Sequence, residues 1–476
     1  MRIDPKTIPL RPEEKLISAQ LIPARKPAQP LSAIAALQLL AGASRPEDVG
    51  QNGPVKASAA FPENQAIPEL RSYEAVFGRD SLIAASFLFD QFPLLTRATV
   101  IRLAELQGVK YANSSEEEPG KIVHEARPPD DPITPFLVNT WGWKLPYYGT
   151  VDAAPLFISA AARYAKTHAL SFLQETFVGR SGATRAIAQA VDAALNWLKK
   201  KLDNSPDGIL ESRRLNTKGG LIAQSWKDSP DAHHHASGEL VDFNTSLSSI
   251  DVQAKAFDAL HDAAELFPAQ AEDLLARAAK LQSAVLEKFW IEDSRGGYFA
   301  LGSERDRRNN LRLLNIRTSN MGHLLNSRLL DGDRLAHRRN ELVKTLLSPR
   351  LLARAGIRTL ADHENRYRPY SYHNGSVWPW DTFWISLGLL RHGYAAEARD
   401  IWRRILNVMR ETNRFPEMVC GADDQPLIAN RLIKVRDTKY NFENRIEQPP
   451  QEIQAWTVAS VLAIQYLQQS NERLPA

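Results

Sequence analysis

An all-α fold, a toroid of helix hairpins with its long loops gathered at one end, is what this 476-residue sequence predicts. Three observations carry the expectation. From Phe77 onward, apolar residues recur at i, i+3, i+4 and i+7 in one stretch after another, which is the helical period. Alternating strands are scarce, GGYFALG at Gly296–Gly302 being the best short one. The connections are of very unequal length, and in a ring of helix pairs the long ones collect at one end and build the site.

In chain order, the expected helices are Ser81–Gln91, Arg97–Gln107, Val151–Lys166, Thr184–Lys200, Ile250–Phe267, Ala269–Lys288, Thr318–Leu329, Ala336–Leu347, Trp378–His392, Ala395–Arg410 and Gln451–Gln468. Residues 1–68 differ in character. They are rich in proline and offer one short apolar helix, LSAIAALQLLAG. So few apolar residues cannot enclose a core, so this segment is expected to be an arm packed on a catalytic body spanning residues 69–476.

Composition narrows the function classes. A net charge of +4 from 59 basic and 55 acidic side chains argues against a dedicated nucleic-acid binder. With one cysteine, Cys420, no internal disulfide can form. The N-terminus lacks the apolar core of a secretory signal, and no apolar run reaches membrane-spanning length, so a cytoplasmic protein is expected. The run His233-His234-His235 has no HExxH-like spacing, and adjacent histidines cannot all face one ion. There is no GxGxxG, GxxxxGK[ST] or GxSxG. No metal and no cofactor are expected, although a calcium ion in a loop stays open; the expected partner is a carbohydrate.

Six loops hold the aromatic, acidic and amide residues: Tyr73–Asp80, His124–Asp131, Trp141–Asp152, Gln224–Asp231, Tyr367–Asp381 and Phe415–Asp424. Such mixtures suit sugars, whose apolar faces stack on aromatic rings while their hydroxyls bond to Asp, Glu, Arg and Asn. Within these loops three carboxylates stand out. Asp228 lies in QSWKDSPDAHHH, where it is either an acid beside an aromatic wall or a turn residue. Glu417 lies in RFPEMVCGADD between apolar neighbours, a costly place unless it has a function or pairs with Arg414. Asp80 in FGRDSL reads either as an N-cap or, with Arg79, as a clamp for sugar hydroxyls.

The blocks FGRDSL, PGKIVHEAR, PYYGTVDAAPLF, SWKDS, GIRTL, YHNGSVWPWD, FPEMVCG and QAW follow one another from Phe77 to Trp456. In this order they resemble the bacterial amylo-α-1,6-glucosidase, or glycogen-debranching, family. That family is similar to the wider set of (α/α)6-barrel glycosidases, which includes the processing α-glucosidases and the mannosylglycerate and glucosylglycerate hydrolases. The resemblance implies Asp228 as general acid and Glu417 as general base. It also implies Arg79, Asp80, Tyr148, Asp152, Trp226, His373, Asn374, Trp378 and Trp380 as contacts in the sugar subsite. Enzymes of this set invert configuration, with carboxyls roughly 6.5–9.5 Å apart.

The chain departs from the debranching pattern at SWKDSPDAHHH and at RIEQPPQEIQAW, and in place of a β-rich module only the proline-rich arm precedes FGRDSL. The leading expectation is therefore an inverting, exo-acting hydrolase of terminal α-linked glucosyl residues, amylo-1,6-glucosidase-like, acting on a short substrate. The alternative is a hydrolase of small α-glycosides such as glucosylglycerate or mannosylglycerate. From another class, a non-catalytic carbohydrate-binding relative would keep the aromatics and lose a carboxylate.

Overall fold

The structure is a computed structural model that describes residues 21–23, 31–61, 64, 73–128, 130–131, 133–437, 442–448 and 450–472. Its α-helices are α1 (Ala33–Ala41), α2 (Gly78–Phe87), α3 (Pro93–Glu105), α4 (Thr134–Trp141), α5 (Ala153–Thr167), α6 (Ile187–Asp203), α7 (Ile250–Leu266), α8 (Ala271–Lys288), α9 (Ala336–Leu346), α10 (Pro379–Arg391), α11 (Ala395–Thr412) and α12 (Ala455–Glu472). A 3₁₀ segment, Ser319–Asn326, lies between α8 and α9. The chain is mainly helical, and no helix among the described residues is long and apolar enough to cross a membrane.

Two kinds of helix follow from two kinds of sequence pattern. In α2, nine of the ten residues are buried, including Arg79, Asp80 and Ser81. A helix enclosed on all sides belongs to an interior layer. In α11, by contrast, Ala398, Ile401, Trp402, Ile405 and Val408 are buried at spacings of one helical turn, and the charged face is exposed. The interior series runs from α2 to α5, α5 to α7, α7 to Ser319–Asn326, that segment to α10, α10 to α12, and α12 back to α2. Outside it, α3 rests on α2 and α5, α6 on α5, α8 on α7, α9 on the 3₁₀ segment, α11 on α10 and α1 on α12.

Three local expectations are corrected, and one hairpin was not foreseen. Thr318–Leu329, expected as an α-helix, winds as 3₁₀ turns over Ser319–Asn326 and Arg328–Leu330. At Gly322 a Cβ would stand 2.7 Å from the Ile385 side chain, so close contact with α10 overrides helical periodicity here. The helix expected from Gln451 begins at Ala455 instead. Its first residues are drawn out by pairing, with Ile453–Gln454 antiparallel to Ser58–Ala59. GGYFALG divides between a strand at Gly296–Phe299, paired with Trp290–Asp293, and the start of Gly302–Arg305, which pairs with both Leu247–Ser249 and Leu311–Leu313. A hairpin of Ala429–Asp437 with Phe442–Gln448, to which Leu21–Pro23 adds a third strand, had no periodic signature. The boundary expected at 68/69 lies outside the described residues.

The interior helices meet through small residues. A Cβ on Gly388 of α10 would lie 2.6 Å from the Leu325 backbone carbon, which cannot yield as a flexible side chain could. Gly388→Ala is therefore expected to cost about 1–3 kcal/mol of stability through overpacking, read as a lower urea midpoint with an unchanged denaturant slope.

Candidate active site

The interior segments bring their N-terminal ends together. Arg79 and Asp80 lie in the first turn of α2, Asp152 immediately precedes α5, Asp251 opens α7, Asn320 the 3₁₀ segment and Asp381 α10. Helix N-termini carry partial positive charge and unpaired N–H groups, so carboxylates are favoured there. Asp80 is not an N-cap. It is the third residue of α2, and its side chain is buried against Arg79.

A chain of charges crosses this floor. Lys255 Nζ bonds to Asp251 Oδ2 at 2.8 Å and lies 3.9 Å from Asp152. Asp152 takes the Thr150 hydroxyl at 2.6 Å and faces Arg79 Nη1 at 3.5 Å. Arg79 Nη2 donates to Asp228 Oδ2 at 3.2 Å, and Arg79 Nε stands 3.6 Å from Asp80 Oδ1. Burial alone would lower the Arg79 pKa, but Asp152, Asp228 and Asp80 outweigh it and raise it, so the guanidinium stays charged. Asp80 is pushed up to about 7, first by burial, with Arg79 opposing and the charges of Asp228, Asp152 and Glu417 adding to the rise. Asp251 is also buried, yet Lys255 holds it below the usual carboxylate range. Arg79 Nε and Asp80 Oδ1 are both enclosed and make no hydrogen bond among the described residues. A buried polar atom left so costs free energy until a ligand group meets it.

Glu417 sits on an extended segment pinned from both sides. The N–H of Phe415 donates to the carbonyl of Glu452 and that of Glu417 to the carbonyl of Gln451, both at 3.0 Å. Two residues on, Val419 and Val377 exchange N–H···O bonds of 2.8 and 2.9 Å. The Glu417 carboxylate accepts from the Tyr372 hydroxyl at one oxygen and from the Gln451 N–H, at 3.2 Å, at the other. The ion pair of Arg414 is with Glu452, at 3.1 Å. Tyr372 lies within YHNGSVWPWD, yet nothing in that block distinguishes it from its aromatic neighbours.

The expected contact residues divide by burial and by what they touch. Arg79, Asp80, Asp152, Asp228 and Glu417 come together. His373 and Asn374 hold the loop that bears Asp228: Nδ1 of His373 meets Ser229 Oγ at 2.9 Å, and Asn374 Nδ2 donates to the Asp231 carbonyl at 2.9 Å. Trp226, Trp378 and Trp380, expected to stack on sugar, are instead enclosed, at 1%, 1% and 0% exposure. Trp226 meets the other two edge to face at 5.7 and 5.1 Å, while Trp380 stacks on Trp456 at 4.7 Å. Tyr148, also expected at the sugar, is buried as well. Its hydroxyl donates to the Leu106 carbonyl at 2.6 Å and accepts from Arg180. Each of these four side chains packs against neighbouring rings or bonds to backbone.

Behind Asp228, the Lys227 ammonium is bonded to the Thr359 carbonyl. Burial brings its pKa down to about 7, against the pull of Asp381 and Asp251. Among the histidines, His235 Nε2 meets Glu304 at 2.8 Å, and burial lowers His233 to about 3 and His234 to about 4. No group of three or more metal-ligating side chains occurs among the described residues.

Carboxyl groups borne on separate loops around a buried guanidinium, with enclosed polar atoms awaiting partners, suit hydrolysis of a hydroxyl-rich substrate, and this chain is a glycoside hydrolase. It belongs to the family described as the mannosylglycerate hydrolase MGH1-like glycoside hydrolase domain, whose model matches residues 160–440, more than half of the chain. That span contains Asp228 and Glu417; Arg79, Asp80 and Asp152 precede it. Among solved structures, the GH63 mannosylglycerate hydrolase from Thermus thermophilus in complex with Tris and D-glycerate is similar at a TM-score of 0.56 and 12% identity, covering 91% of this chain and 98% of that one. The same hydrolase in complex with glucose gives 0.57 at 12% identity, with the same coverage. At that identity the likeness is one of fold. No curated protein sequence matches the chain.

The Asp80 carboxyl yields a stability prediction. Its folded-state pKa of about 7 lies above the ordinary 3.8. Between those values the folded chain holds a proton that the unfolded chain releases, so this group's contribution falls as pH rises from 4 to 7. Asp80→Asn is expected to remove that dependence, gaining up to about 4 kcal/mol relative to wild type at pH 7 over pH 4. Paired urea melts at the two pH values check it; an unchanged difference would refute the burial argument.

Proposed function

We propose that this enzyme is an inverting hydrolase of small α-glycosides of glycerate, with Asp228 as general acid and Glu417 as water-activating base. The observation that carries the reading is the contrast between the two carboxyl settings. Glu417 is held as an acceptor by the Tyr372 hydroxyl and the Gln451 N–H, which fix its carboxylate in one orientation. Asp228, with its side chain 18% exposed, stands on a separate loop against Arg79, at the open side of the floor. Asp80 and Arg79, with Asp152 holding the guanidinium from behind, would bind the hydroxyls of the terminal sugar. The family's descriptive name favours a glycosylglycerate over the amylo-1,6-glucosidase reading that the motif order first suggested. The closing series from α2 round to α12 supports an (α/α)6 toroid in which α1, from the N-terminal arm, supplies the sixth outer helix by resting on α12.

Incubation of wild type, Asp228→Asn and Glu417→Gln with mannosylglycerate, glucosylglycerate and a limit dextrin tests this directly. Each variant is expected to lose about a thousandfold or more in kcat on the glycosylglycerate that wild type prefers, and NMR of the first product formed is expected to show the β-anomer. Retention of configuration, or faster glucose release from the dextrin, would overturn the reading.

One observation favours a second assignment of the acid: Asp80, not Asp228, has the carboxyl pushed up to about 7. Glycosyl fluorides need little help from an acid, because fluoride leaves readily. If Asp228 is the acid, Asp228→Asn retains most fluoride hydrolysis while Asp80→Asn loses it; the reverse pattern transfers the role to Asp80.

A further inference from the structure

The described part of the arm reaches Asn64, beside the segment that bears Glu417. Ser58–Ala59 pair antiparallel with Ile453–Gln454, and Ile453 forms a parallel bridge with Phe415. Between arm and base segment lie Gln451 and Glu452, 0% and 1% exposed. Each grips the arm with its side chain and the base segment with its backbone. The Gln451 side chain accepts from the Ser58 hydroxyl at 3.0 Å, while its N–H and carbonyl bond to the Glu417 carboxylate and Glu417 N–H. The Glu452 carboxylate accepts from the Phe61 N–H at 3.1 Å and from Asn64 Nδ2 at 2.9 and 3.0 Å, and pairs with Arg414 at 3.1 Å. Its carbonyl accepts the Phe415 N–H.

We infer that the arm is a working part of the catalytic site. Glu452, with Ser58 and Asn64, positions the Glu417 carboxylate by fixing the loop segment from which it projects. The inference rests on the reading of Glu417 as the base. A carboxylate as buried as that of Glu452 is costly unless its partners are well placed, and here they come from two separate stretches of chain, Phe61 and Asn64 on one and Arg414 on the other. A purely structural fastening would show in stability and leave turnover per folded molecule intact. A positioning role shows in kcat, because a base displaced by about 1 Å loses up to about a hundredfold in rate while the sugar still binds.

The test measures kcat, KM and melting temperature in the full-length chain on the glycosylglycerate that wild type turns over best. The variants are Glu452→Ala, the double variant Ser58→Ala with Asn64→Ala, and Leu274→Ala. Leu274 is a fully buried residue of α8, on the outside of the interior series, and serves as a destabilised control. Glu452→Ala is expected to lower kcat at least about tenfold with KM within about threefold, and the double variant to lower kcat about three- to tenfold, while Leu274→Ala keeps kcat well below its melting temperature. If Glu452→Ala does not fold, the double variant decides. A kcat within about twofold of wild type in the double variant overturns the inference, as does an equal loss in Leu274→Ala at a matched drop in melting temperature. Glu417→Gln, run alongside, separates the two claims. If it remains active, the base assignment fails; if it is inactive while the arm variants are normal, only the positioning role fails.

Discussion

The buried guanidinium of Arg79 is the interaction on which the site depends. One cation in the first turn of α2 lies within 3.6 Å of three carboxylates from three parts of the chain. Without it, Asp80, Asp152 and Asp228 would repel one another in a region of low dielectric, and the helix ends and acid loop could not converge. Breaking such a cluster by removing its centre is far more costly than never having built it, because the remaining charges stay buried. The arrangement also explains why α2 can be polar at one end and still belong to the interior. Its charged residues are satisfied by one another and by the ends of neighbouring helices, and not by solvent.

Around that cluster the loops interlock through backbone. Lys227 ties the acid loop to the carbonyl of Thr359, and Thr359 takes its own N–H bond to Ser376. Val377 exchanges bonds with Val419 on the base segment, and Arg358 Nε donates to the Gly421 carbonyl at 2.6 Å. A Cβ on Gly421 would fall 1.8 Å from the Gly375 carbonyl oxygen, so these loops are pressed together at the limit of contact. The loops that bear Asp228 and Glu417 thus share one hydrogen-bonded frame.

How far the sequence could be read depended on the range of the forces involved. Helical periodicity is local, and α5, α6, α7, α8 and α11 stand close to where apolar spacing put them. The segment at Ser319 and the start of α12 departed because partners remote in sequence, Ile385 in one case and Ser58–Ala59 in the other, outweighed local preference. The acidic residues of the site stood out because Asp80, Asp228 and Glu417 occupy polar or apolar contexts that are unusual for carboxylates. The aromatics were harder to assign. A tryptophan that stacks on a ligand and one that seals a core are alike in sequence, and the mutual packing of Trp226, Trp378, Trp380 and Trp456 is visible only in the fold. Tyr372 and Gln451 were invisible for the converse reason, since their part is defined solely by where Glu417 comes to lie.

The return of α12 to α2 has a consequence for how the molecule is made. The loop segment bearing Glu417 is gripped by residues 451 and 452, which are themselves held by residues 58, 61 and 64 far away in the chain. Nearly the whole polypeptide must be synthesised and folded before these contacts can form, and closing so large a loop is slow and comes late. The circle is therefore closed by contacts that span almost four hundred residues, and helix content alone does not report whether they have formed.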